Sequence, residues 1–278
     1  MERKCYAKIN LSLDSLYKRE DGYHEIDSIM TRINLYDELI IKRNKENKFN
    51  FSSNRDDICK IEDNLIYKAW DMLRSRTCDY GIDVKLIKNI PIAAGLAGGS
   101  TDAAEMIKAL NDLWSLGMTR EEMMDLAKKL GADLPFFFLE SNARARGIGE
   151  ILTPFSNKLT MKILLVNDGT AISSAFVYKR LGDYGVVDND KIIDGLKNGD
   201  SSVIKDFRNV MEDVIFENFP HLKEIRDRLM DLGADNALVS GSGASIFAVF
   251  LDEKAYDKAY ERIKDDYQKV EKVELVDD

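Results

Sequence analysis

The chain has 278 residues, 45% hydrophobic and 32% charged, with a net charge of −9. This is the composition of an ordinary globular protein, and its acidity excludes the basic footprint that a nucleic-acid partner requires. Cys5, Cys59 and Cys78 lack metal-ligand spacing and two histidines are too few for a His-based zinc site; no apolar run reaches membrane-spanning length and no hydrophobic leader opens the chain, so a cytoplasmic protein with reduced thiols and no membrane partner is expected.

Residues 4–13 alternate. Ala7, Ile9, Leu11 and Leu13 fall on one face and Tyr6, Lys8, Asn10 and Ser12 on the other, the pattern of a half-buried strand. Asp21-Gly22 marks a turn, and Ile26 to Arg43 reads as one or two further strands. A helix is predicted over Asp63 to Arg74 and a strand over Ile82 to Lys88. Helices follow at roughly 101–113 and 120–130, the second stopped by Gly131 as a C-cap. Arg144 to Thr153 returns to strand, Pro154 to Lys158 breaks the pattern, and Met161 to Val166 opens a new strand. The break places a boundary between one domain of residues 1–157 and another of 158–278. The second half gives helices near 173–181, 190–197 and 220–232, strands at 236–240 and 245–251, a helix over about 253–265, and a last strand from Lys269 to Val276. Strand pairs mixed with helices, without regular βαβ repetition, predict an α+β fold.

The stretch Pro91-Ile92-Ala93-Ala94-Gly95-Leu96-Ala97-Gly98-Gly99-Ser100-Thr101-Asp102-Ala103-Ala104 joins a strand to a helix. Its small residues let a backbone wrap closely around an anion. Ser100 and Thr101 suit an N-cap, and bare N–H groups at a helix N-terminus favour phosphate. It is not a P-loop, because no lysine follows the last glycine, and it lacks the G-x-G-x-x-G dinucleotide spacing. The same residues also suit a turn that only lets a helix pack tightly on a sheet. Leu130-Gly131-Ala132-Asp133 and Leu232-Gly233-Ala234-Asp235 are one tetrapeptide used twice, generic punctuation in which glycine ends a helix and aspartate makes a polar turn. Val239-Ser240-Gly241-Ser242-Gly243-Ala244-Ser245 is a second Gly-rich turn, equally compatible with a plain strand-to-strand connection.

The wording K-x-I-P-x-x-A-G-L-A-G-G-S-T-D-A-A over residues 88–104 resembles the phosphate loop of the GHMP kinases, the family of galactokinase, homoserine kinase and mevalonate kinase. Ala7-Lys8-Ile9-Asn10-Leu11 is similar to the family's A-K-x-N-L opening, whose lysine lies in the active site. Gly131-Ala132-Asp133-Leu134-Pro135-Phe136 resembles its G-A-D-x-P-F, whose aspartate is catalytic, whereas Asp235 lacks that context and reads as a turn residue. Residues 239–245 resemble the third motif, S-G-S-G-P-T, with Ala244 and Ser245 replacing proline and threonine. Arg19-Glu20-Asp21-Gly22-Tyr23-His24 is similar to the R-x-D-G-Y-H marker of the branch that acts on 4-diphosphocytidyl-2-C-methyl-D-erythritol, and Ala171 to Tyr178 resembles the V-S-T-x-x-V-Y segment, whose last aromatic contacts cytosine. One departure stands out. Glu140-Ser141-Asn142-Ala143 replaces the family's usual G-G-T-A and makes the backbone less permissive there.

The resemblance implies an ATP-dependent kinase with Mg²⁺, an N-terminal half like the ribosomal protein S5 second domain and a ferredoxin-like C-terminal half. Lys8 and Asp133 are implied as catalytic. Asp133 would orient the hydroxyl and accept its proton while Lys8 stabilises the oxygen and the neighbouring phosphate. A carboxylate beside a lysine ammonium keeps its charge and is a weak base, so alignment would be its larger part. Residues 91–101 with Asn64 and Lys88 are implied in ATP binding. Asn10, Tyr23, His24, Tyr178, Gly241 and Gly243 are implied in substrate binding, with Tyr23 and Tyr178 on the faces of the cytosine ring, His24 at its edge and Phe176 a neighbour without that role. No side chain is marked as a Mg²⁺ ligand, and the partners implied are small molecules, with no obligate protein partner evident. Other GHMP kinase substrates, such as homoserine or mevalonate, and a non-catalytic nucleotide-binding protein of the same fold are the rival readings. The R-x-D-G-Y-H segment speaks against the first, and intact Lys8 and Asp133 against the second.

Overall fold

Two long strands open the chain, β1 over Glu2–Lys18 and β2 over His24–Arg43. In β1 the polar face is as buried as the apolar one: Lys8, Asn10, Ser12 and Asp14 are all inside. The half-buried strand expected is therefore buried on both faces, because other buried polar groups meet the hydrogen-bonding needs of its second face. The computed structural model describes residues 1–276, so the last two residues of the second expected domain lie outside the described residues. The chain forms two units, each assembled from three stretches. The first takes Met1–Ala7, Leu35–Ile90 and Ala97–Glu140; the second takes Lys8–Asn34, Pro91–Leu96 and the chain from Ser141 onward.

In the first unit, β3 (Phe49–Ser53) runs parallel to β4 (Ile82–Ile87), and β4 pairs antiparallel with Glu38–Arg43 of β2. β3 is too short and too open to show a period in the sequence. β4 turns Ile82, Val84 and Leu86 inward and Asp83 and Lys85 outward. Helix α1 (Leu65–Leu73) starts at Asn64, whose side chain accepts from the Ile66 N–H, and buries Ile66, Ala69, Trp70 and Leu73 along one stripe. α2 (Gly98–Trp114) starts earlier than the sequence indicates, and α3 (Arg120–Ala127) opens on a capping box between Thr119 and Glu122. Gly131 is not the C-cap expected of it. The cap of α3 is Lys128, and the chain turns before the glycine is reached.

In the second unit, β5 (Asn142–Gly147) pairs with Ile26–Met30 of β2 and with β6 (Ile151–Phe155). The single strand expected over 144–153 is thus a hairpin, whose turn places Gly147 and Gly149 at φ 72° and 120°. The departure at residues 140–143 is absorbed without glycines, since Asn142 and Ala143 simply open β5. β7 (Lys162–Asn167) is followed by α4 (Ser174–Tyr178), α5 (Asn189–Asn198), α6 (Glu212–Asn218) and α7 (Pro220–Asp231). Then come β8 (Asn236–Val239), β9 (Ile246–Phe250), α8 (Glu253–Ile263) and β10 (Lys269–Val273). The four strands lie antiparallel in the order β10-β7-β9-β8, which is the ferredoxin-like split β-α-β-β-α-β arrangement. Leu222, Ile225 and Leu229 of α7 and Tyr256, Ala259 and Ile263 of α8 join Leu164, Val166, Ile246 and Phe250 of the sheet in one core. Among the described residues no helix is long and apolar enough to cross a membrane.

Candidate active site

The Gly-rich stretch passes from the second unit to the first between Leu96 and Ala97. In the first unit, α2 begins at Gly98 with Ala97 as its N-cap in the left-handed region, and no side chain caps it. Ser100 and Thr101 are therefore inside the first turn rather than at the cap, a correction to the sequence reading. The physical reason is that Gly98 and Gly99 carry no Cβ and let the helix start earlier, which leaves its first N–H groups bare. Gly98 is also fixed by space. A Cβ there would lie 2.8 Å from Lys88 Nζ and 3.0 Å from the Ile90 side chain, whereas one on Gly99 would meet only Leu65, at 3.8 Å.

Lys88 is not a free surface cation. It is buried, and its ammonium bonds the carboxylates of Asp37 and Asp102, the latter at 2.7 Å. Asp37 Oδ1 also accepts from the backbone N–H groups of Asn89 and Ile90, at 2.6 and 2.8 Å. Burial raises Asp102 above the usual carboxylate range, Lys88 opposes that and Asp37 adds to it. Burial works to lower Lys88, but Asp102 and Asp37 together outweigh it and raise the ammonium. The sequence reading named Lys88 and missed both partners. Asp102 stood inside the motif, but nothing local marks Asp37, which is distant in sequence.

Asn64 uses its side-chain oxygen to cap α1, at 2.9 Å from Ile66 N, and the cap does not use its amide nitrogen. Asp133 precedes the short 3₁₀ turn Leu134–Phe138, which is anchored by the buried Phe136, Phe137 and Phe138. Its half-buried side chain does not cap that turn. Asp235 behaves differently. Its carboxylate accepts from Leu251 N at 2.7 Å, and its own N–H bonds the Val249 carbonyl at 2.9 Å. The twin tetrapeptides therefore diverge, with Asp235 committed to a backbone turn.

In the second unit, Lys8 and Asn10 stand side by side on β1, with Lys8 Nζ 2.5 Å from Asn10 Oδ1. Two Gly-rich segments meet them. The Lys8 N–H donates to the Leu96 carbonyl at 3.1 Å, Ser245 N to Ala94 O at 3.1 Å, and Ile172 N to Ala93 O at 3.3 Å. Ser240 Oγ donates to Gly95 O at 3.0 Å. Gly95 sits at φ 76°, and a Cβ on it would land on the Ser240 carbonyl oxygen and 2.9 Å from Gly243 N. A Cβ on Gly241 would lie 3.3 Å from Lys8 Nζ and 3.2 Å from Asn10 Oδ1. The turn at 239–245 is thus more than a strand connection: it is fastened to Pro91–Leu96 and lies against Lys8. Asn209 holds it from the other side, donating to Val239 O at 2.8 Å and Gly241 O at 2.7 Å. Glu212, pushed up to about 7 chiefly by burial, accepts from Val239 N at 2.7 Å. Ser245 Oγ accepts from Asn167 at 3.0 Å. Asn209 and Glu212 carry no motif, and the sequence reading passed over them.

The Arg19–Tyr23 turn is pinned by Arg19 N to Tyr23 O at 2.8 Å, with Gly22 at φ 86°. Tyr23 is 60% exposed, while His24 is 4% exposed, so the turn sends the two rings to different surroundings. The His24 ring lies 5.8 Å from that of Tyr178 at a tilt of 30°, and neither His24 nitrogen has a hydrogen-bond partner among the described residues. Phe176 is occupied otherwise, under the Arg180 guanidinium at 3.7 Å and edge-on to Phe219.

Comparison with known proteins gives the family. Residues 64–141 match the N-terminal domain of the GHMP kinases, and residues 192–269 match the GHMP kinase C-terminal domain. The chain is similar to the 4-diphosphocytidyl-2-C-methyl-D-erythritol kinase of Alkaliphilus metalliredigens, 38% identical over 95% of this chain and 92% of the relative. Against the enzyme of that name from Listeria innocua it is 40% identical over 91% and 87%. A crystal structure of a 4-(cytidine 5'-diphospho)-2C-methyl-D-erythritol kinase superposes over 100% of both chains with a TM-score of 0.85 at 30% identity.

Proposed function

The chain belongs to the GHMP kinase family, and from that membership we propose its reaction: transfer of the γ-phosphoryl group of ATP to the 2-hydroxyl of 4-diphosphocytidyl-2-C-methyl-D-erythritol, giving the 2-phosphate and ADP in non-mevalonate isoprenoid biosynthesis. The observation that carries the reading is Lys8. A buried lysine, oriented by Asn10 and set against two interlocked Gly-rich segments, is the arrangement that a phosphoryl transfer needs and a structural turn does not.

Phosphoryl transfer asks the protein mainly for position and charge. The uncapped N-terminus of α2 offers bare N–H groups to the nucleotide phosphates. Asn64 and Lys88 belong to the same nucleotide set, Lys88 by holding β4, β2 and α2 together through Asp37 and Asp102. Lys8 offsets charge on the acceptor oxygen and the moving phosphoryl group. Asp133, whose carboxylate is not used to cap its own turn, aligns the hydroxyl and takes its proton. The cytidyl group is read by His24 and Tyr178, with Tyr23 next to His24 in the chain. Mg²⁺ enters as part of the nucleotide substrate. It would be held mainly by phosphate oxygens and water, and would supply positive charge to offset that of the β- and γ-phosphates. The division into residues 1–157 and 158–278 belongs to the same proposal, with the nucleotide motifs in the first part.

The test is a panel of diphosphocytidyl-methylerythritol, homoserine, mevalonate and galactose, each with Mg·ATP, read by coupled ADP release. ADP should form readily with the first and scarcely with the others. Preference for homoserine or mevalonate would overturn the substrate while sparing the family, and no ADP with any of them would favour a non-catalytic nucleotide binder.

A further inference from the structure

Lys8, Asn10, Ser12 and Asp14 share one buried face of β1. Such a face is stable only when each polar group has a directed partner. The direction can be read at Ser28 of β2, which is fully buried. Its hydroxyl oxygen lies 2.6 Å from the Ser12 carbonyl oxygen and 2.8 Å from Asn10 Nδ2. A carbonyl can only accept, so the single hydroxyl proton goes to Ser12, and the Ser28 oxygen is left to accept from Asn10. This decides which way the Asn10 amide faces. Its nitrogen turns to Ser28, and its oxygen turns to Lys8 Nζ at 2.5 Å. The reversed amide would aim N–H donors at an ammonium and set two accepting oxygens against each other.

Ser12 is itself held in place. Its hydroxyl bonds the side-chain oxygen of Asn189, and Asn189 Nδ2 donates to the Asp27 carbonyl at 3.0 Å. The Asp27 carboxylate takes the Arg144 guanidinium in a two-point pair, at 2.8 and 2.7 Å. Ser28 thus has a fixed acceptor on one side and one remaining role on the other. Gly241 closes in next to the ammonium, so a small change in the bearing of Lys8 has little room to be absorbed.

We propose that Ser28 is a positioning residue for phosphoryl transfer, holding the Asn10 amide with its oxygen toward Lys8 so that the ammonium stays aimed at the reacting phosphate. The proposal rests on the reading of Lys8 as a catalytic group. Ser28 does not touch the reactants; it acts through Asn10.

The experiment is a double-mutant cycle read by steady-state kinetics on the full chain with Mg·ATP and the cytidyl substrate. Ser28→Ala should lower kcat about 10-fold or more, the scale of a misaimed group, with KM for ATP little changed. Ser28→Thr keeps the hydroxyl and should recover most of the loss. Asn10→Asp supplies the bypass, since a carboxylate has two accepting oxygens and no orientation to choose. In that background Ser28→Ala should change the residual kcat by less than about 2-fold, the cycle isolating the pairwise effect. An equal loss in both backgrounds, or a threonine variant as slow as the alanine variant, would overturn the proposal. Lys8→Met at wild-type kcat is a different failure: it would remove Lys8 from the reaction and with it the premise.

Discussion

Replacing Lys88 with methionine keeps most of the side-chain length and removes only the ammonium from between Asp37 and Asp102. Both carboxylates are essentially excluded from solvent, at 0% and 2% exposure. Breaking a buried ion pair by deleting one partner costs about 3–5 kcal/mol, because the charges left behind are uncompensated. A domain stable by about 5–15 kcal/mol should survive that, weakened but folded. The pH dependence makes the test specific. Asp102 is already raised by burial, and Lys88 is what holds it down, so the variant raises it further. A carboxyl that keeps its proton in the fold while the unfolded chain has shed it loses stability as pH rises, by about 1.4 kcal/mol per pH unit. In the native protein that loss stops once pH passes the folded value of Asp102; in Lys88→Met it continues. The gap between the two proteins should therefore widen from about pH 6 to about pH 8.5, by roughly 1–3 kcal/mol. Urea denaturation followed by circular dichroism at the two pH values measures it. Asp102→Asn added to the variant should recover part of the loss at the higher pH, since it removes the carboxyl whose retained proton costs stability as pH rises. A loss below about 1 kcal/mol at both pH values, or a gap that narrows as pH rises, would refute the reasoning.

Gly98→Ala should weaken ATP binding by about 10-fold or more in calorimetry while Gly99→Ala changes it little, because only the first Cβ meets Lys88 and Ile90; equal affinities would reduce the start of α2 to a packing turn. Asp133→Asn should lower kcat on the order of 10²-fold, the scale of a positioned acid–base group, with the protein still folded. Asp235→Asn should instead leave kcat nearly unchanged and lower the melting temperature, as its carboxylate serves Leu251 N; the opposite ranking in kcat would mean the base is misassigned. His24→Ala and Tyr178→Ala should each raise KM for the cytidyl substrate by about 10-fold with KM for ATP unmoved, on a stacking or base contact worth roughly 1–3 kcal/mol. Tyr23→Ala should do less, given its exposure. A Tyr23 effect larger than both would place the base on the outer side of the turn.

The fold class was legible because periodicity is strong where one face is buried. The stripes of α1, α7 and α8 and the alternation in β4 carry their own spacing. Boundaries slipped where glycine changes what a backbone can do. α2 starts at Gly98 instead of near residue 101, and the stretch from Arg144 folds back on itself at Gly147 and Gly149. Lys8 was legible through its motif, but the buried second face of β1 was not, since Lys, Asn and Ser in alternation look like a solvated face. What makes that face possible lies far away in sequence, at Ser28 and Asn189. Asp37 was hidden in the same way from a reader of Lys88. A carboxylate some fifty residues from its partner leaves no local signature.

The interleaving of the two units has a consequence for how the chain is born. The first unit has all its residues once Glu140 has been synthesised, whereas the second takes its opening stretch, Lys8–Asn34, from the start of the chain. Leu13 of that stretch bonds the backbone at Arg208 and Val210, and Ile33 bridges to Leu275. The strand bearing Lys8 must therefore wait for residues 208–210 to be made, and β2 for Leu275. At about 5–20 residues per second, the interval between Glu140 and the end of β10 is roughly 7–27 s. During that time the ribosome carries a chain with its first unit complete and a long, alternating strand still without its later partners. Such a strand is open to wrong pairing, so this nascent chain is a natural client for a holding chaperone, and slow codons placed after residue 140 would prolong its exposure.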